Sequence, residues 1–197
     1  MNKPFSQACE NNKQPILEVI SRHFLPGMKV LEVGSGTGQH AVYFAGCMPH
    51  LFWQTADLPE NQPAINSWID DSGLQNIGRP FTLDATCAHW PDGYDAVFSA
   101  NTAHIMPWSA VQFFIPGVAG MLPSGGKFCL YGPFNYNGKF TSESNARFDV
   151  WLKSQAAHQG IRDFEAVSQL AEQNGLNLIE DNAMPANNRL LVWEKGH

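Results

Sequence analysis

The most constraining stretch of this chain is Val30-Leu31-Glu32-Val33-Gly34-Ser35-Gly36-Thr37-Gly38, where an apolar run ends on three alternating glycines. The run, over 28–33, reads as a buried strand. The glycines let the backbone turn sharply and let another group approach without meeting a Cβ. Residues 39–48 follow, with Ala41, Val42, Phe44 and Ala45 at helical spacing. A strand, a tight turn and a helix start with unpaired N–H groups and a positive dipole end make a cradle for an anionic group of a ligand.

The rest of the pattern repeats that unit. Helices are expected over 15–24, 60–71, 108–122, 145–157 and 164–174, the third interrupted at Pro116-Gly117 and the last closed by a left-handed Gly175. Strands are expected over 51–56, 80–83, 94–99, 127–131, 176–181 and 189–194, and a polar loop over 132–144. Alternation implies parallel strands joined by right-handed crossovers. The short connection Pro185-Ala-Asn-Asn188 makes the closing pair an antiparallel hairpin. The expected fold is α/β, a doubly wound, Rossmann-like sheet of about seven strands, mostly parallel with one reversed C-terminal strand, in one domain over 1–197. Its ligands belong at the carboxyl edge of the sheet, where strand order reverses.

Composition narrows the function. A formal net charge of −6 with no concentration of Lys and Arg leaves nothing to track a phosphate backbone, so no nucleic acid is expected. No run reaches the length of a membrane span, and the start carries no apolar secretory core. Cys9, Cys47, Cys87 and Cys129 include no CxxC pair, which suits free thiols in the cytoplasm. The seven histidines lack metal-ligand spacing, so no metal is expected. Oligomeric state is not legible.

The acids at the strand ends bear on the cofactor. Glu32 precedes the first glycine by two residues, where a carboxylate would attract a cationic amino-acid group and repel a pyrophosphate. Asp57 ends the second strand, placed to accept from ribose hydroxyls, and Asp84 ends the third, placed to accept from an adenine amino group. Together with Gly34, Ser35, Gly36 and Gly38 they point to S-adenosylmethionine. Gly36-Thr37-Gly38-Gln39-His40-Ala41 also fits a loose dinucleotide pattern, so a nicotinamide-dependent oxidoreductase is the rival from another class. Glu32 and the reversed last strand speak against it. A protein that binds the cofactor without transferring a methyl group would keep the same residues.

The Glu-x-Gly-x-Gly-x-Gly turn with Asp57 and Asp84 resembles class I methyltransferases. Glu10-Asn-Asn-Lys13, Gly38-Gln-His-Ala41, Ser99-Ala-Asn-Thr-Ala-His-Ile105, Tyr131-Gly-Pro-Phe134, Ser144-Asn-Ala-Arg-Phe-Asp149, Gly160-Ile-Arg-Asp163 and Pro185-Ala-Asn-Asn188 are similar to an uncharacterised methyltransferase-like family that includes methyltransferase-like protein 26. The resemblance implies the fold and cofactor binding and leaves the methyl acceptor open.

Candidate residues for the acceptor follow from the strand ends. His104, after the fourth strand, is placed for a base or an orienting group, or for a hydrogen bond within its own loop. Asn101 belongs with the cofactor. Tyr131 and Phe134 could face a sulfonium as cation–π partners or pack over the sheet edge. Asn145, Arg147 and Asn188 could read a polar, small-molecule acceptor, although Asn145 could instead cap its helix and Asn188 make the hairpin turn. Asn12 could close over the cofactor's carboxylate or cap the first helix.

Overall fold

The computed structural model describes residues 3–197. The chain opens with α1 (Gln7–Ile20), β1 (Lys29–Val33), α2 (Gln39–Cys47), β2 (Phe52–Asp57), α3 (Gln62–Ser72) and β3 (Ile77–Thr82). It continues with β4 (Ala96–Ala100), α4 (Trp108–Met121), β5 (Lys127–Gly132), β6 (Phe134–Asn135) and α5 (Glu143–Gln155), then β7 (Arg162–Asp163), α6 (Phe164–Gln173), β8 (Leu176–Met184) and β9 (Asn188–Lys195).

Seven strands form one sheet in the order β3-β2-β1-β4-β5-β9-β8. Every pairing from β3 to β5 is parallel, and β9 alone runs against its neighbours β5 and β8. The order reverses between β1 and β4, so the turns after these strands open a crevice at the carboxyl edge. Successive strand residues supply opposite faces. Val30, Phe98 and Cys129 pack with Ile16, Phe44 and Trp53 under α1, α2 and α3, while Leu31, Val97 and Phe128 pack with Phe114, Val167 and Trp193 under α4 and α6.

Three helices differ from expectation, β3 begins three residues early, and the expected polar loop contains the short β6. α1 begins eight residues before Pro15, because the Ser6 hydroxyl accepts from Cys9 N–H and Glu10 complements the first turn. Pro15 then lies inside the helix, where the carbonyl it fails to engage belongs to exposed Asn11. α4 runs unbroken through Pro116-Gly117, with Val111, Phe114, Ile115 and Val118 burying one face. A Cβ on Gly117 would fall 2.1 Å from the Trp90 indole nitrogen, so this glycine admits a neighbouring ring. α5 starts at Glu143 with Ser142, not Asn145, as its cap, its hydroxyl accepting from Asn145 N–H at 3.1 Å.

Candidate functional site

The turn between β1 and α2 is fastened to β2, with Gly34 N–H and Ser35 N–H both donating to the Ala56 carbonyl. Gly34, Gly36 and Gly38 have φ of 76°, 57° and 89°, the left-handed region that side chains resist. Their surroundings differ. A Cβ on Gly34 would lie 2.5 Å from the Thr102 methyl, and one on Gly38 would lie 2.9 Å from the Ile65 Cα of α3. A Cβ on Gly36 would meet nothing within 4 Å, because it would project into open space. Two glycines let protein approach; the middle one leaves room for a ligand.

That space is a cavity of about 620 Å³, lined by the turn, Asp57, Leu58, Leu83, Asp84 and Asn101 among others. Asp57 Oδ2 accepts from Gly36 N–H at 2.7 Å, and Oδ1 accepts from Leu58 N–H at 2.7 Å and the Asn61 amide at 2.9 Å. A carboxylate offers about four lone-pair directions, so protein donors take three and leave one for a ligand. Asp57 thus holds the turn as well as facing the cavity. Asp84 Oδ1 accepts from the Thr86 N–H and hydroxyl, and these bonds hold its carboxyl below the usual range.

Glu32 departs from the sequence expectation. It is 2% exposed, lies behind the turn on the face shared with Val30, and accepts from the Trp53 indole at 3.2 Å. It does not line the cavity. Burial, with nearby Asp57 adding to it, raises Glu32 to about 8, so it is a neutral acid at pH 7. A neutral side chain behind the turn neither attracts a cation nor repels a pyrophosphate. The case against a dinucleotide therefore rests on the reversed strand.

A second cavity, about 770 Å³, adjoins the first and shares Ser6, Asn101 and Ile105 with it. His104 lines it, buried and edge-on to Phe148 at 5.5 Å. Its ring nitrogens have no hydrogen-bond partner among the described residues. Burial first, then the Arg162 guanidinium, lowers His104 to about 4. Arg162 itself donates to the Ala103, Met106 and His158 carbonyls, which fixes the loop carrying His104. Asn101 stands at the junction with φ 60°, a left-handed conformation that asparagine tolerates.

Asn145 and Asn188 also line the second cavity. The Asn145 amide nitrogen donates to Thr141 Oγ1 and the Asn187 carbonyl, so only its oxygen is left to face a ligand. Asn12 lines this cavity and not the first; its Oδ1 accepts at 2.7 Å from Nε2 of His40, which lines the first. Tyr131, Phe134 and Arg147 line neither. The Tyr131 ring is buried, and that burial raises its hydroxyl above the usual range. Phe134 is core, drawn in as β6 pairs with β7. Arg147 points to solvent, 3.7 Å from Glu143 one turn earlier.

Sequence reasoning missed Ser6, Phe148 and Trp151. Ser6 N–H donates to the buried Gln39 side chain, which brings the start of α1 over the glycine turn. Phe148 and Trp151 stack at 5.6 Å with planes 14° apart. The signal was the α5 spacing: Ser144, Phe148, Trp151 and Gln155 share one helical face, and all four line the second cavity.

Three buried groups give the fold a pH dependence. His40 is lowered to about 4, chiefly by burial, as is His104. Such a histidine contributes stability above its unfolded value of 6.5 and loses it as pH falls through 4. Glu32 acts in reverse: its contribution is full below its unfolded value of 4.5 and is lost as pH rises through 8. Each group changes stability by up to about 1.4 kcal/mol per pH unit across its window. The melting temperature should peak between about pH 5 and 7, and Glu32→Gln should flatten the alkaline limb. An alkaline limb identical in wild type and Glu32→Gln would contradict this.

The sheet order, the single reversed strand and the glycine turn at the switch point define the class I methyltransferase fold. Solved structures agree. An O-methyltransferase family protein from Burkholderia thailandensis superposes with a TM-score of 0.83 at 18% identity, covering 93% of this chain and 56% of that one. An O-methyltransferase family 2 protein from Planctomyces limnophilus, in complex with apigenin, gives 0.85 at 15% identity over 95% of this chain and 58% of that one. Human N-acetylserotonin methyltransferase, in complex with SAM, gives 0.81 at 14% identity over 97% and 53%. The chain thus spans little more than half the length of these proteins. Within this fold it belongs to the family described as protein of unknown function (DUF938), whose model matches residues 3–195.

Proposed function

We propose that this protein is an S-adenosylmethionine-dependent methyltransferase acting on a small-molecule acceptor. The observation that carries the reading is the pair of adjoining cavities: one built from the glycine turn and strand-end acids, the other holding His104, with Asn101 and Ile105 at their junction. The first cavity fits the cofactor on its own chemistry. Gly36 leaves room against the backbone, Asp57 keeps one acceptor direction for a hydroxyl, and Asp84 Oδ2 faces no donor among the described residues. Leu58 and Leu83 offer apolar walls to a flat base.

When bound, S-adenosylmethionine supplies an activated methyl group on a sulfur that leaves readily. The chain's share is positioning and proton handling. The turn, Asp57 and Asp84 hold the cofactor. His104, neutral at pH 7 with its nitrogens unengaged, accepts the proton that the acceptor gives up. Four free thiols support a cytoplasmic setting for this chemistry.

Incubation with methyl-labelled S-adenosylmethionine and a metabolite extract should move label into small molecules. Label that stays with the cofactor while the cofactor binds would mark a binding protein without transfer. His104→Ala should lower transfer by about tenfold to 10²-fold, below the full weight of a general base because a ring lowered to about 4 is a weak proton acceptor at pH 7. Its affinity for S-adenosylhomocysteine should be unchanged, because His104 lies outside the first cavity. Full transfer by the variant would remove His104 as the base.

A further inference from the structure

The second cavity has an unusual wall. Among the described residues that line it there is no Asp, Glu, Lys or Arg. Its polar side chains are amides, two serine hydroxyls and the neutral His104. The nearby charges are engaged elsewhere: Asp149 accepts from Ile161 N–H and Lys153, and Arg162 is spent on backbone carbonyls. An anion or cation held against this wall would give up hydration without gaining a counter-charge from the protein's own side chains, which is unfavourable.

One side of the cavity is an aromatic shelf. Phe148 stacks on Trp151, and His104 meets Phe148 edge-on. Trp151 remains 54% exposed, with Ile105 also open at the rim. Large apolar rings left uncovered beside polar, unengaged groups suit a flat partner that stacks on one face and hydrogen-bonds at its edge. The Asn145 oxygen and the unprotonated ring nitrogen of neutral His104 can accept from such an edge.

We infer that the second cavity takes an uncharged, planar aromatic molecule carrying a hydroxyl or comparable hydrogen-bond donor, stacked on the Phe148–Trp151 shelf with its donor toward His104. This rests on the reading of that cavity as the acceptor chamber, and it deepens the proposed function by naming the acceptor's class.

Calorimetric titration of the purified chain at neutral pH with three probes separates the alternatives: 2-naphthol, 6-hydroxy-2-naphthoic acid and decahydro-2-naphthol. The first is flat and uncharged, the second adds a carboxylate, and the third keeps the hydroxyl without the aromatic plane. 2-Naphthol should bind about tenfold or more tighter than either of the others, and Trp151→Ala should weaken it by about tenfold. Equal or tighter binding of the acid or the saturated alcohol overturns the inference. So does an unchanged affinity for 2-naphthol in Trp151→Ala, or no binding of 2-naphthol at all. Each titration is run with and without saturating S-adenosylhomocysteine. If that ligand fails to bind while the probes rank as stated, the methyltransferase reading falls and the aromatic site stands.

Discussion

Asp57→Ala should weaken the binding of S-adenosylhomocysteine by about 100-fold or more, the equivalent of one or two hydrogen bonds to a charged group at about 1.5–3 kcal/mol each. The loss has two parts. The ligand would lose the acceptor that Asp57 offers at the end of β2. The turn would lose its fastening too, since Asp57 accepts from Gly36 N–H, Leu58 N–H and Asn61. Gly36 and Leu58 line the cavity, so water can reach the freed donors there and limit the damage to the fold to about 1–3 kcal/mol. Denaturant unfolding and titration of the same variant separate the two effects. Wild-type affinity in Asp57→Ala would remove this carboxylate from the cofactor site.

Gly38→Ala and Gly36→Ala should fail in different ways. Both place a side chain at positive φ, at about 1–2 kcal/mol. At Gly38 the new methyl also meets α3 backbone, 2.9 Å from Ile65 Cα and 3.3 Å from its carbonyl oxygen, and neither is the end of a flexible side chain. That variant should lose about 2–4 kcal/mol of stability in a denaturant titration, overpacking added to strain. At Gly36 the methyl enters open cavity, so stability should fall by only about 1–2 kcal/mol. Binding of S-adenosylhomocysteine should nonetheless fall sharply, because the methyl takes space that the ligand's approach requires. A Gly36→Ala variant with undiminished affinity would mean that the ligand does not come close to this turn.

Much of the fold was legible because hydrophobic period and glycine placement carry it. The strand, glycine turn and helix at 28–48, the alternation through β5 and the closing hairpin all follow from local pattern. Helix starts were less legible, since Pro15 resembles a first-turn proline and hides the better cap at Ser6 nine residues upstream. In the site, Asp57 and Asp84 were legible as strand-end acids, and both line the first cavity.

Glu32 illustrates what strand position alone omits. Alternation puts it on the same face as Val30, toward Trp53 and the helices, so its carboxyl is buried beneath the turn and held neutral. α5 carried a readable signal as well. Asn145, Asp149 and Leu152 follow the buried face, and Arg147 lies off it against Glu143. The α5 spacing puts Phe148 and Trp151 on one face but does not reveal their role, because aromatic residues on an amphipathic helix ordinarily read as core. Only the tertiary arrangement leaves them uncovered beside His104.

In the proposed function the glycine turn, Asp57 and Asp84 hold S-adenosylmethionine. The most direct test is calorimetric titration of the folded protein with S-adenosylmethionine, S-adenosylhomocysteine and NADH. The first two should bind saturably with a dissociation constant on the order of micromolar, and the third should not bind. Binding of NADH in preference, or no binding of either sulfur compound by a folded protein, would contradict that assignment.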